Sequence, residues 1–152
     1  MGGGDPYNLD RFADAQRGVY EQACAELRRG RKTGHWMWFI FPQIAGLGFS
    51  ATSQHYAIQS LDEARAYLEH PVLGPRLREI CGIVSGVDQK TAHEIFGSPD
   101  DMKLRSSMTL FVHAAQDHAI FSEVIRKYFG GVEDERTVEL TIPTPSPSAK
   151  SL

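Results

Sequence analysis

The sequence predicts an all-α fold, an irregular single-domain bundle of several short helices joined by Gly/Pro turns. Three observations predict it. Apolar residues recur at helical spacing, as in Val19, Tyr20, Ala23, Cys24 and Leu27, or Ile120, Phe121, Val124, Ile125 and Tyr128. Cap-like starts and Gly/Pro stops punctuate these runs every ten to fifteen residues or so. No run shows sustained alternation with β-branched enrichment, so no sheet is required.

Taken in order, Asp5-Pro6-Tyr7-Asn8 is turn chemistry that caps a short helix through Leu9, Phe12 and Ala13. A second helix runs from Val19 to Leu27 and stops at Gly30. Thr33 is placed to cap the next segment, Trp36 to Phe41, which is apolar on almost every side and must be covered if helical. Pro42 ends it, because the ring disfavours helical geometry at Phe41. A glycine-rich link, residues 45–49, leads to Ser50 as the cap of a helix through Tyr56.

Ser60-Leu61-Asp62-Glu63 has capping-box form, and His70-Pro71 breaks the helix it opens. Leu73, Leu77, Ile80, Cys81 and Val84 make the next stripe, interrupted by Gly82. Thr91-Ala92-His93-Glu94 is a second capping box before a short turn that Gly97 terminates. Ser98-Pro99-Asp100-Asp101 reads as cap, proline at the first helical position and two acids in the first turn. Leu104, Met108, Phe111 and Ala115 follow down one face. The last strong stripe ends at Gly130-Gly131, and a short helix is expected around Arg136 to Leu140. Residues 1–4 are expected to be a flexible start, 5–141 the helical domain, and 142–152 a disordered Pro/Ser-rich tail.

Composition bounds the function classes. A chain of 152 residues with 41% hydrophobic and 23% charged residues is of ordinary globular make-up. The net charge of −3 lacks the basic footprint of a nucleic-acid binder. The run Arg28, Arg29, Arg31 and Lys32 falls at a helix end, where cations offset the dipole. Cys24 and Cys81 fall on apolar helical positions, which suits small buried hydrophobes in a reducing cytoplasm. Met1-Gly2-Gly3-Gly4 leads into polar sequence without a signal-peptide h-region, and the aromatic segment is too short to cross a bilayer. A cytoplasmic location, with no membrane and no nucleic acid among its partners, is the expectation.

The stretch His35-Trp36-Met37-Trp38-Phe39-Ile40-Phe41-Pro42-Gln43 holds both tryptophans. Such aromatic mass serves a core or walls a pocket. In the pocket reading, Trp36 and Trp38 supply flat faces, with Lys32, His35 and Gln43 as polar contacts, an arrangement suited to a planar ligand. In the core reading, both indoles are buried and His35 is a hydrogen-bonded surface group.

Gly46-Leu47-Gly48-Phe49-Ser50 is a glycine turn feeding a helix, yet no strand precedes it and no Walker lysine follows, so no cofactor is expected. Lys103, Ser106 and Ser107 stand at i, i+3 and i+4, where their heads can meet on one helix side. The order Lys-x-x-Ser reverses the serine-to-lysine spacing of penicillin-recognising enzymes, and the hydroxyls of Ser106, Ser107 and Thr109 in mid-helix call for buried partners. His113 and His118 are five apart, off the spacing that sets two ligands on one helix face, and no metal is expected.

Asp5-Pro6-Tyr7-Asn8-Leu9, the His35–Gln43 stretch, Leu47-Gly48, Pro71-Val72-Leu73-Gly74, Ile95-Phe96-Gly97 and Ser106-Ser107-Met108-Thr109-Leu110-Phe111 together resemble the bacterial family catalogued as domain of unknown function 1810, sometimes labelled calpastatin. The resemblance runs from Asp5 to about Leu140 and implies an irregular all-helical fold, with no established activity; nothing in the residues supports protease inhibition. A more distant likeness is to the NADAR family, helical proteins linked to ADP-ribose and N-glycosidic chemistry. It rests on the Glu63-Ala64 helix and the helices around Met108 and Phe121, without a clear copy of that family's catalytic acid motif.

The expectation drawn from these readings is a site for a small planar or phosphorylated, nucleotide-like metabolite, contacted by Lys32, His35, Trp36, Trp38, Gln43, Lys103 and Ser107. Two alternatives stand beside it. One is an N-glycosidase or hydrolase acting on an ADP-ribose-like substrate, with His35 or Glu63 as base. The other is a protein-interaction module without a small-molecule site.

Overall fold

The computed structural model describes residues 4–141. The residues ahead of Gly4 and the Pro/Ser-rich stretch from 142 onward, expected to be flexible and disordered, lie outside the described residues. Among the described residues ten helices follow one another without a sheet: α1 (Asp10–Gln16), α2 (Tyr20–Arg28), α3 (Met37–Ile40), α4 (Ala51–His55), α5 (Leu61–Glu69), α6 (Leu73–Ser85), α7 (Ala92–Phe96), α8 (Asp100–Ala114), α9 (Ala119–Phe129) and α10 (Glu135–Thr141). Among the described residues the β-type pairing is one isolated parallel bridge, Ile44 with Ile58.

Helix α8 is the axis of the fold, packed against α5, α7, α9 and α10. From Leu104 to Phe111 nearly every turn of it is buried, so its mid-helix hydroxyls need partners. Ser106 donates back to the Met102 carbonyl at 3.2 Å and Thr109 to that of Arg105 at 2.8 Å. This is the i to i−4 back-bonding by which a buried helix accommodates Ser and Thr. Around α8 a continuous aromatic ladder runs through Phe12, Tyr67, Phe111 and Phe121, with ring centres 5.2, 5.5 and 5.7 Å apart.

Most caps follow the residues that announce them. Asp5 accepts from the amides of Leu9 and Asp10 at 2.8 and 2.9 Å, which holds its carboxyl below the usual range. Ser50 caps α4 and Thr91 closes a complete capping box with Glu94. Three expectations change. Pro99 occupies the cap position of α8, which begins at Asp100, and Ser98 makes no cap. Ser60 does cap α5, but the Glu63 carboxylate turns away from the Ser60 amide to accept from Gln59 N and from Arg11. The aromatic segment is helical only over the four residues of α3, without a side-chain cap from Thr33. The Thr33 and Gly34 amides instead donate to Glu26 Oε1 at 2.8 and 2.9 Å.

Candidate functional site

The geometry starts from the short chain after Pro42. Phe41 and Ile44 are buried anchors on either side of Gln43. The bridge to Ile58 then fixes the backbone, with Ile58 N donating to the Gln43 carbonyl and Ala45 N to the Ile58 carbonyl, each at 2.8 Å. A cleft of about 690 Å³ opens above this bridge. The loop 45–50 with α4 and the first two turns of α8, through Met102, Lys103 and Ser106, line it together with Trp38. Asp134, just before α10, also lines it.

Two glycines shape the loop wall. Gly46 holds φ of +103°, in the left-handed half of the map, with Leu140 packed on it. At Gly48 a Cβ would come within 2.7 Å of Ser53 Oγ. Backbone conformation accounts for the first glycine and the close approach of Ser53 for the second. Phe49, at the loop tip, is 84% exposed and borders the cleft, as does Met102 at 45%.

Of the residues expected to gather, three do: Trp38, Gln43 and Lys103 line the cleft. The Lys103 ammonium is 4.8 Å from the centre of the Trp38 ring and 3.4 Å from Asp100 Oδ1. The other four stand apart. Trp36 is 1% exposed and belongs to the core, its indole N–H donating to Glu26 Oε1 at 3.0 Å. Lys32 lies over the Trp36 ring at 5.0 Å and pairs with Asp100 Oδ2 at 2.8 Å, so its charge is spent behind the cleft wall. His35 is exposed and outside the lining. Ser107 is fully buried, and its hydroxyl has no partner among the described residues. It sits about 100° further round α8 than Ser106, enough to carry it from the cleft into the core.

The separation of the two indoles has a physical cause. Trp36 and Trp38 are two positions apart at the start of α3, about 200° round a helix, so they face opposite sides, and Glu26 fastens only one of them. Burial raises the cost of charge on Glu26, but donors from Gln22, Gly34 N, Thr33 N and Trp36 outweigh it and hold its carboxyl down at about 2.

Tyr56, Gln59 and Asp134 also line the cleft and carry no sequence signal for it. They arrive from a helix end, the strand-like bridge partner and a distant turn, and only the tertiary fold joins them. Glu63, named above as a possible base, is 2% exposed and lies outside the lining. Its Oε2 meets Arg11 at 2.7 Å and its Oε1 accepts from Gln59 N at 3.0 Å. Among the described residues no group of three or more His, Cys, Asp or Glu side chains is placed to hold a metal ion.

Three comparisons locate the chain among known proteins. The family model described as Protein of unknown function (DUF1810) matches residues 6–141. No curated protein matches the chain. A solved structure, the conserved hypothetical protein Rv1873 from Mycobacterium tuberculosis, is similar at 54% identity with a TM-score of 0.91, covering 92% of this chain and 100% of that one.

Proposed function

Because the chain belongs to the DUF1810 family of proteins of unknown function, its role has to be argued from the cleft, and we propose that the protein binds a small planar or phosphorylated, nucleotide-like metabolite there. The observation that carries this reading is the meeting of Trp38, Lys103 and Gln43 at a cleft of about 690 Å³. Ligand sites of this kind occupy roughly 300–1,000 Å³ and pair apolar or aromatic walls with a few convergent polar groups. Trp38 offers flat area, Lys103 a single cation and Gln43 a donor and an acceptor side by side.

Binding is favoured over hydrolysis by the disposition of the acids. Both oxygens of Glu63 are taken up, by Arg11 and by Gln59 N, and Glu63 itself lies outside the lining. Asp134 Oδ2 is engaged by the backbone and hydroxyl of Thr137 at 3.0 and 2.5 Å. It is favoured over a docking surface because the exposed large apolar side chains of the described residues are few, and two of the four, Phe49 and Met102, border the cleft itself.

We place the protein in a bacterial cytoplasm, without membrane or nucleic-acid partners. Two buried free cysteines and the net charge of −3 support this. No helix of the described residues is long and apolar enough to cross a membrane.

A thermal-shift screen of nucleosides, nucleotides, NAD, ADP-ribose and sugar phosphates tests the proposal. Ligand at a hundredfold excess over Kd stabilises the native state by about 2.7 kcal/mol. A shift abolished by Trp38→Ala and by Lys103→Ala, in variants that still melt cooperatively, supports the site. A shift retained by both variants places the ligand elsewhere, and no shift with any compound overturns the reading.

A further inference from the structure

The charge and hydrogen-bonding capacity of the cleft walls narrow the ligand class, on the reading that the cleft is a metabolite site. Of the lining residues only Lys103 and Asp134 are charged at neutral pH. Lys103 is not a free cation either. It shares Asp100 with Lys32, at 3.4 and 2.8 Å, so two lysines and one carboxylate leave one net positive charge. Asp134 sets one negative charge against it. The first turn of α8 adds no surplus, since Asp100 and Asp101 both sit on its dipole.

A di- or triphosphate brings two or more negative charges out of water. Without matching cations that transfer is unfavourable, and these walls hold no surplus to offset it. The rest of the polar lining consists of amides and hydroxyls. Gln43 and Tyr56 are half-buried within it. The backbone of Gln43 is held in the bridge to Ile58, while its carboxamide has no partner among the described residues. The Tyr56 hydroxyl is likewise unpaired among them, although its ring is packed 5.8 Å from Phe12 and 5.4 Å from Phe39.

An unpaired carboxamide on an anchored backbone, in the same cleft lining as an indole, presents one donor and one acceptor in a plane. That is the complement of an amide or amidine edge, and an aromatic wall beside it takes the flat face of the same molecule. We infer that the occupant is a neutral planar heterocycle with a donor–acceptor edge, a nucleobase or nucleoside, read by the Gln43 carboxamide against Trp38, and not a nucleotide polyphosphate.

Calorimetric titration of the full chain with free bases, nucleosides, and their 5′-mono- and diphosphates, at low and high salt, tests this inference. At least one base or nucleoside binds. Its diphosphate binds no more than about threefold tighter, and the affinity is nearly independent of salt, since few ions are released. Free base against nucleoside then distinguishes the two sources of the same ring. Gln43→Leu and Gln43→Glu each weaken that ligand by about tenfold, the loss of one well-formed hydrogen-bonding edge. Both variants are checked by circular dichroism, and the glutamate variant preserves the shape of the side chain.

Diphosphates that bind tenfold or more tighter with steep salt dependence overturn the inference and leave the cleft reading standing. So does unchanged affinity in both Gln43 variants. No binding by any base, nucleoside or nucleotide also overturns the inference, and the wider thermal-shift screen then decides the metabolite site by itself.

Discussion

The Lys103 ammonium lies 4.8 Å from the centre of the Trp38 ring, and Lys32 repeats the arrangement over Trp36 at 5.0 Å. Asp100 joins the two lysines, so one carboxylate ties a buried cation–indole pair to one at the cleft wall. The buried pair is anchored from below by Glu26, which accepts the Trp36 indole N–H. Among the described residues the cleft-side pair has no such anchor, and its half-buried indole is left with surface to offer.

Glu26 makes the stability of this assembly depend on acid. Its folded pKa of about 2 lies below its ordinary 4.5, so the carboxylate contributes stability that is complete above about 4.5 and is lost as pH falls toward 2. The contribution is on the order of 3 kcal/mol at neutral pH. Urea unfolding of Glu26→Gln is expected to show a loss of about that size at pH 7 and a shallower pH dependence than wild type between 4.5 and 2. Equal slopes in the two proteins in that window contradict the assignment.

Two glycines of α6 respond oppositely to alanine. A Cβ on Gly74 would lie 2.0 Å from the Leu68 carbonyl oxygen, backbone that cannot move without displacing the end of α5. Gly74→Ala is expected to cost about 3 kcal/mol or more. Gly82, in the same helix, has nothing within 4 Å of its Cβ position. Gly82→Ala is expected to gain about 0.5–1 kcal/mol through helix propensity. Denaturation midpoints of the two variants check both signs.

Arg11 and Glu63, both outside the cleft lining, form a buried ion pair at 2.7 Å. Arg11 also donates to the carbonyls of Tyr7, His55 and Ala57, stitching the chain start to the segment that carries Ile58. Arg11→Met is expected to destabilise by about 3–5 kcal/mol, since it strands a buried carboxylate. Arg11→Met with Glu63→Gln is expected to cost clearly less than the two single changes summed. Additive costs in a double-mutant cycle contradict a coupled pair.

The all-α class, most helix starts and most helix stops were legible because each rests on local chemistry: a cap, a proline, a glycine, an apolar stripe. Thr91 with Glu94 and Ser50 with Ser53 are decided within four residues. The failures are tertiary. The sequence around Thr33 looks like a cap because the competing acceptor, Glu26, comes from the preceding helix and reaches over. Glu63 leaves its local capping role for Arg11, fifty-two positions away.

The site divides along the same line. Trp38, Gln43 and Lys103 stand out by residue type, and the fold gathers them at the cleft. Nothing local separates Trp38 from Trp36, or Ser106 from Ser107. Which of each pair faces the cleft depends on which side of its segment the neighbouring helices cover.

The two indoles provide the most direct measurement of the central claim. In a nitrogen-15 correlation spectrum of tryptophan-labelled protein, the indole N–H of Trp36 is buried and bonded to Glu26, whereas that of Trp38 belongs to the cleft. Trp38→Phe assigns the pair. Titration with nucleobases, nucleosides and nucleotides is predicted to move the Trp38 resonance saturably while the Trp36 resonance stays in place. Both resonances unmoved by every compound, or Trp36 responding while Trp38 does not, would contradict the cleft as the binding site.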